Sequence, residues 1–182
     1  HAVSINMRNP FWKVIDSVFG DIFNPGSAII MTTLFKEGAA VSMESSGGEG
    51  RLNDPFYLHM SRQAKLSGKF PSAQDVSGAR DKFPSASASY GFGGPFAAFI
   101  QQKYGMEKYA EFWYRAINAK SLTYETAFKR IYDVSLGTAW KEFKDSVYVP
   151  DIPKSPLEEK FVTDFFNPEA DGFSRQNLLG SR

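Results

Sequence analysis

Apolar residues recur at helical spacing through most of the chain, and capping residues, prolines and glycines mark where helices should begin and end. Asn9-Pro10 predicts a helix start, and apolar residues then repeat every three or four positions as far as Phe19. The same signals predict further helices at about 28–44, 54–68, 94–105 and 106–117, and two more that begin after Thr123 and Ser135. No convincing run of the alternating strand pattern appears before Val147. The sequence therefore predicts a mainly α fold.

Composition is that of a globular domain. Of the 182 residues, 42% are hydrophobic and 23% are charged, which is close to the average and excludes wholesale disorder. Aromatic residues make up 15% of the chain and 17 residues are Phe, so we expect a core built on large rings.

Three general features of the sequence limit the classes of function that need to be considered. The net charge is only +1, so the charge gives no indication of a nucleic-acid partner. Cysteine is absent, which excludes a disulfide framework and any thiolate metal site. No apolar stretch reaches the roughly 20 residues that span a bilayer, so no transmembrane segment is predicted in this chain.

The character of the sequence changes near residue 148. Three prolines then follow within seven positions, a spacing typical of an extended linker: Pro150, Pro153 and Pro156. We predict a helical domain over 1–148, and a Pro-rich linker with the start of a further segment over 149–182. Two stretches inside the helical domain lack periodicity and are predicted as loops, the first flexible and the second with one short helical turn: 45–50 and 69–92.

Glu37 is the first candidate for a functional residue, because it is a carboxylate at the apolar face of a predicted helix. It lies in a predicted helix with Leu34 three positions before and Val41 four positions after, so the apolar face includes or borders a carboxylate. A buried carboxylate needs a partner, which is a cation, backbone donors or a metal; the alternative is a half-exposed Glu37 in a salt bridge. Gly38 in the helix interior predicts that another backbone passes close by. Glu44 falls on the same helix face.

Four features occur in an order that resembles gluzincin zinc peptidases. The chain starts with His1 in what reads as the end of a helix, and Glu37-Gly38-Ala39-Ala40 resembles the second helix of that family. Tyr90-Gly91-Phe92-Gly93 before an aromatic helix is similar to the Tyr-x-x-Gly of aminopeptidase-like members. The closing helices, with Ala139-Trp140 near their end, are similar to those of bacterial peptidase MA-like domains. The resemblance covers roughly 1–148.

The resemblance implies a site and an activity. His1 would be the last residue of a His-Glu-x-x-His motif whose other residues lie upstream, and it would bind zinc together with Glu37. Tyr90 would donate a hydrogen bond to the oxyanion while metal-activated water hydrolyses a peptide bond. The chain would then be the C-terminal helical subdomain of a thermolysin- or aminopeptidase-like zincin, exported in a bacterium. Zinc would be present in the intact parent, whose further domains lie upstream and downstream, and this chain alone would be inactive.

Two other functions remain open from the sequence. One is a non-catalytic helical module whose aromatic face or Pro-rich tail binds a partner protein. The other is a degenerate peptidase-like domain that binds peptides without zinc. Tyr90 would then be a core tyrosine with its hydroxyl satisfied, and His59, without a second ligand at metal spacing, is expected to be structural or on the surface. The apolar helix from Pro10 to Phe19 is expected to turn a face to the core, with a membrane-surface role as the alternative.

Overall fold

A computed structural model describes residues 9–19, 31–78, 87–118 and 120–149, all of which lie before the division of the chain into two units after Val149. These residues form α1 (Pro10–Phe19), α2 (Thr33–Glu44), α3 (Pro55–Leu66), α4 (Ala73–Gly78), α5 (Ser87–Gly91), α6 (Gly93–Tyr104), α7 (Met106–Ile117), α8 (Tyr124–Tyr132) and α9 (Leu136–Ser146). A short 3-10 turn, Arg51–Asn53, precedes α3. The described residues contain no strand, so the mainly α prediction is confirmed. The predicted linker lies outside the described residues from position 150 onward.

Helices α2 and α6 form the most extensive helix pair in the described chain, and glycines allow their close approach. A Cβ atom at Gly38 would lie 2.5 Å from the carbonyl oxygen of Gly93, and one at Gly93 would lie 2.7 Å from that of Leu34. Side chains at these positions would therefore push the helices apart. The Ser42 hydroxyl adds a 2.7 Å hydrogen bond to the amide oxygen of Gln101. The close approach predicted from Gly38 is confirmed, and Gly93 supplies the partner backbone.

Aromatic rings from several helices meet in the core. The ring of Phe35 on α2 lies 5.0 Å from that of Phe112 and 5.7 Å from that of Tyr124, measured between centroids. Phe96 on α6 packs against Trp140 of α9 at 4.9 Å. Such pairs contribute about 0.5–1.5 kcal/mol each beyond their area burial. The expectation of a core built on large rings is confirmed.

The predicted ends of the later helices also agree with the structure. Thr123 Oγ1 accepts a 3.2 Å hydrogen bond from the backbone N–H of Thr126. Ser135 Oγ accepts one at 3.0 Å from the N–H of Thr138. Each N-cap satisfies a backbone donor that the first helical turn leaves without an intrahelical partner.

Two local predictions differ from the structure. Helix α2 begins at Thr33 and not near residue 28, because Thr32 already has extended backbone (ψ 163°). The stretch 69–92, predicted as a loop with one helical turn, contains both α4 and α5. These helices have six and five residues, too short for apolar periodicity to reveal them. The stretch 45–50 is a loop between helices, as predicted, and it forms hydrogen-bonded turns that lead into the 3-10 turn.

Helix α1 presents three apolar side chains to solvent: Phe11, Val14 and Val18 are 65%, 62% and 68% exposed. The side chains of Ile15 and Phe19, which the periodicity places in the same predicted apolar stripe, lie outside the described residues. The backbone N–H of Asn9 donates a 2.8 Å hydrogen bond to the side chain of Asn118 at the end of α7, which ties the start of α1 to the helical unit. No helix in the described ranges is long and apolar enough to cross a membrane.

Candidate functional site

Arg51 contacts two residues that are far apart in the sequence, Glu44 at the end of α2 and Tyr90 on α5. Its Nε atom lies 3.5 Å from a carboxylate oxygen of Glu44 at the end of α2, and its backbone N–H donates to the same oxygen at 3.4 Å. Its guanidinium carbon lies 4.6 Å from the centroid of the Tyr90 ring on α5. The Arg51 and Glu44 side chains are 39% and 38% exposed, so water screens the ion pair and the cluster lies at the surface.

The turn that carries Arg51 is held by its own hydrogen bonds. Ser45 Oγ accepts from the backbone N–H of Leu52 at 3.0 Å. The Asn53 side-chain amide donates to the backbone oxygens of Ser45 and Glu49, at 3.3 Å and 2.8 Å. Gly50, with φ of 87°, provides the left-handed backbone that reverses the chain here. These hydrogen bonds fix the backbone conformation of the turn from which the Arg51 side chain extends.

Glu37 lies in α2 as expected from its neighbours. Leu34 and Val41 are 1% and 0% exposed, while Glu37 itself is half-buried. Glu37 takes part in a hydrogen bond or an ionic interaction, as a carboxylate on such a face requires. Glu44, predicted to lie on the same face, is exposed and paired with Arg51.

Tyr90 lies in α5, which packs against α2, so the elements that carry Tyr90 and Glu37 are neighbours. The Tyr90 side chain is half-buried, with Arg51 over its ring. The backbone after Tyr90 is closely packed: a Cβ at Gly91 would collide with the Met60 side chain, and Gly93 contacts α2. Gly91 therefore allows α5 to lie close to α3, and Gly93 allows the start of α6 to lie close to α2.

The remaining predicted ligand, His1, lies outside the described residues. Within the described ranges, no group of three metal-ligating side chains is present. Glu37 is a half-buried carboxylate on a regular helix, which suits one ligand position of a zinc site. The other ligands would have to come from His1 and from residues before it. His59 is exposed.

A second polar cluster lies inside the helical unit, between α6, α7 and α8. Burial raises the pKa of the Tyr109 hydroxyl to about 12, and the neighbouring Trp113 and Gln101 side chains oppose the shift. Tyr109 is 2% exposed and its hydroxyl lacks a well-aligned hydrogen bond. Burial likewise raises the pKa of Tyr132 above its ordinary value. These neutral, buried hydroxyls are structural in character, since solvent does not reach them.

Arg51 is not among the site residues that the sequence predicts. Its partners come from the end of one helix and from a helix that was predicted as loop, and no local spacing joins the three residues. The Gly-rich stretch before Arg51 is the signal that the sequence offers, because glycines are typical of tight turns.

Comparison with known proteins finds a relative among the curated proteins. No family model matches the chain, and no solved structure matches it. A protein of Treponema pallidum (strain Nichols), described as an uncharacterized protein, is 36% identical over 137 residues. The match covers 75% of this chain and 12% of that protein. The chain thus spans only a small part of the relative that it matches.

Proposed function

We propose that the chain is the helical C-terminal part of a zinc-dependent peptidase domain within a longer protein. The observation that supports this proposal is the packing of α2 against α5 and α6, which brings the Glu37-bearing and Tyr90-bearing helices side by side. The Gly38–Gly93 contact, inside two of the stretches that resemble gluzincin motifs, lets α2 and α6 approach closely.

In this proposal each residue has a defined task. Glu37 would hold the metal together with His1 and a second histidine before it. Zinc, when bound, would supply a nucleophile by lowering the pKa of a water molecule toward 7. The Tyr90 hydroxyl would donate a hydrogen bond to the carbonyl oxygen of the peptide as negative charge develops there. Arg51 would restrict the orientation of the Tyr90 ring through its contact with the ring face.

The test requires the longer protein that continues upstream of His1. We expect the wild type to bind zinc and to hydrolyse peptides. Glu37→Gln should lose zinc and activity, whereas Tyr90→Phe should keep zinc and lose about a hundredfold or more in kcat. Glu44→Gln is the matched control, because it removes a carboxylate two helical turns further along α2 and should leave the zinc content unchanged.

The same experiment separates the alternatives. If the wild-type protein binds no zinc and the residues before His1 do not complete the motif, the peptidase proposal fails. Peptide binding without zinc would then indicate a degenerate, peptide-binding domain. A non-catalytic interaction module is favoured by the exposed stripe of Phe11, Val14 and Val18 on α1. In that case Val14→Asp and Val18→Asp should abolish partner binding while Glu37→Gln has no effect.

A further inference from the structure

A groove lies between α4, α8 and α9 and involves none of the residues proposed for the zinc site. It has a volume of about 810 Å³ and is open to solvent. Its base is apolar, formed by the buried side chains of Ala73, Leu136 and Trp140. A volume of this size lies within the range of known ligand sites.

Trp140, in the base of the groove, is held in one orientation. Its indole N–H donates a 2.9 Å hydrogen bond to the backbone oxygen of Pro71, just before α4, and its ring packs on Phe96 in the core. The indole therefore keeps its orientation, and the small part that stays accessible, 6% of the residue, lines the groove as an apolar contact. Rigid aromatic surface of this kind loses little conformational entropy when a ligand covers it.

Two cations line the groove. Lys129 and Arg130, in the last turn of α8, are exposed and neither forms an ion pair with the described residues. Glu125, one turn earlier, is the acidic residue of the lining, and its carboxylate accepts a hydrogen bond from the Tyr124 hydroxyl at 3.3 Å. The lining charge is thus two positive against one negative.

The polar lining adds hydrogen-bonding groups next to these cations. Ser72 and Gln74 stand on the α4 side, and the first turn of α9 lies at the groove with Gly137. The start of a helix favours a negative group, because the backbone dipoles point their positive ends there. The groove therefore combines an apolar floor with a positive rim.

We propose that this groove binds an extended polypeptide segment that carries an acidic residue next to an aromatic or aliphatic one. The carboxylate would pair with Arg130 and Lys129, and the apolar side chain would cover the floor at Trp140. Arg binds carboxylates through two parallel hydrogen bonds, which gives direction to such a contact. An inorganic anion alone would leave the apolar floor uncovered.

The test uses the full 182-residue chain and two fluorescent peptides. One has Asp residues alternating with Phe, and in the other every Asp is replaced by Asn. We expect the Asp peptide to bind more tightly, and to bind more weakly at high ionic strength. The double variant Lys129→Glu/Arg130→Glu should weaken binding of the Asp peptide about tenfold or more.

The matched control is the double variant Lys108→Glu/Lys141→Glu. It makes the same change in net charge at exposed positions outside the groove lining and should bind within about twofold of wild type. Equal loss in both double variants would overturn the proposal, since it would mean attraction to net charge alone. Equal affinity for the Asn peptide would also overturn it, as would tighter binding of a single-stranded oligonucleotide than of the Asp peptide.

Discussion

The guanidinium of Arg51 lies 4.6 Å from the centre of the Tyr90 ring, and this contact joins a surface turn to a helix that follows much later in the chain. The contact also places Tyr90 within one cluster with Glu44, the other partner of Arg51. The local environment of Tyr90 therefore depends on the turn after α2 as much as on its own helix.

The Arg51–Tyr90 contact should appear as a coupling energy. In a double-mutant cycle of Arg51→Met and Tyr90→Leu, we expect a favourable coupling of about 0.5–1 kcal/mol in the free energy of unfolding, the range of a partly exposed cation–π pair. Chemical denaturation of the four proteins measures it. Tyr57→Leu on α3 is the control, because Tyr57 packs on Phe56 and should show no coupling with Arg51. Zero coupling for Tyr90 would contradict the interaction.

Gly38 should not tolerate a side chain. Alanine normally favours helix formation over glycine by about 1 kcal/mol. At this position its Cβ would meet the carbonyl oxygen of Gly93 at 2.5 Å, so Gly38→Ala should instead lower the free energy of unfolding by roughly 1–3 kcal/mol. Gly137→Ala is the matched control in α9, where the nearest atom would be 3.9 Å away. That variant should be neutral or more stable, and a stabilised Gly38→Ala would show that α2 and α6 do not pack as described.

Alkaline pH should destabilise the chain through Tyr109. Its pKa is about 12 in the folded protein and about 10 when unfolded, so the unfolded state loses its proton first as pH rises. The stability from the neutral, buried hydroxyl is complete below pH of about 10 and is lost as pH rises towards 12, by roughly 3 kcal/mol in total. Tyr109→Phe should reduce this loss, measured by urea denaturation across that pH range. An identical pH dependence in the two proteins would contradict the assignment.

Asp54 should contribute to stability as the N-cap of α3. Its Oδ1 atom accepts a 2.8 Å hydrogen bond from the backbone N–H of Phe56, and Pro55 begins the helix. Asp54→Ala should cost about 1 kcal/mol, because it leaves this donor to solvent alone. Asp54→Asn keeps an acceptor and should cost less. If both variants were equally destabilised, the effect would come from lost charge and not from the cap.

Much of the secondary structure follows from residues that are close in sequence. The caps at Thr123 and Ser135 use a side chain and a backbone amide three positions apart, so the sequence predicts them directly. The apolar stripe of α7 is similarly predictable, with Tyr109, Trp113 and Ile117 buried as expected. The short α4 and α5 were not predictable in this way, because one turn or two of helix shows no periodicity.

Local sequence patterns were enough to predict that the described chain is mainly helical and where most of its helices begin. They also indicated that another backbone packs against the helix at Gly38. The sequence also supplied Glu37 as a candidate metal ligand and Tyr90 as a candidate catalytic residue, and both roles stay predictions. Tertiary structure alone decided that Gly93 provides that backbone, that Arg51 covers Tyr90, and that Phe11, Val14 and Val18 face outward. The difference lies in the sequence separation of the residues that interact. Capping and periodicity act within about four residues, whereas these contacts depend on how whole helices pack.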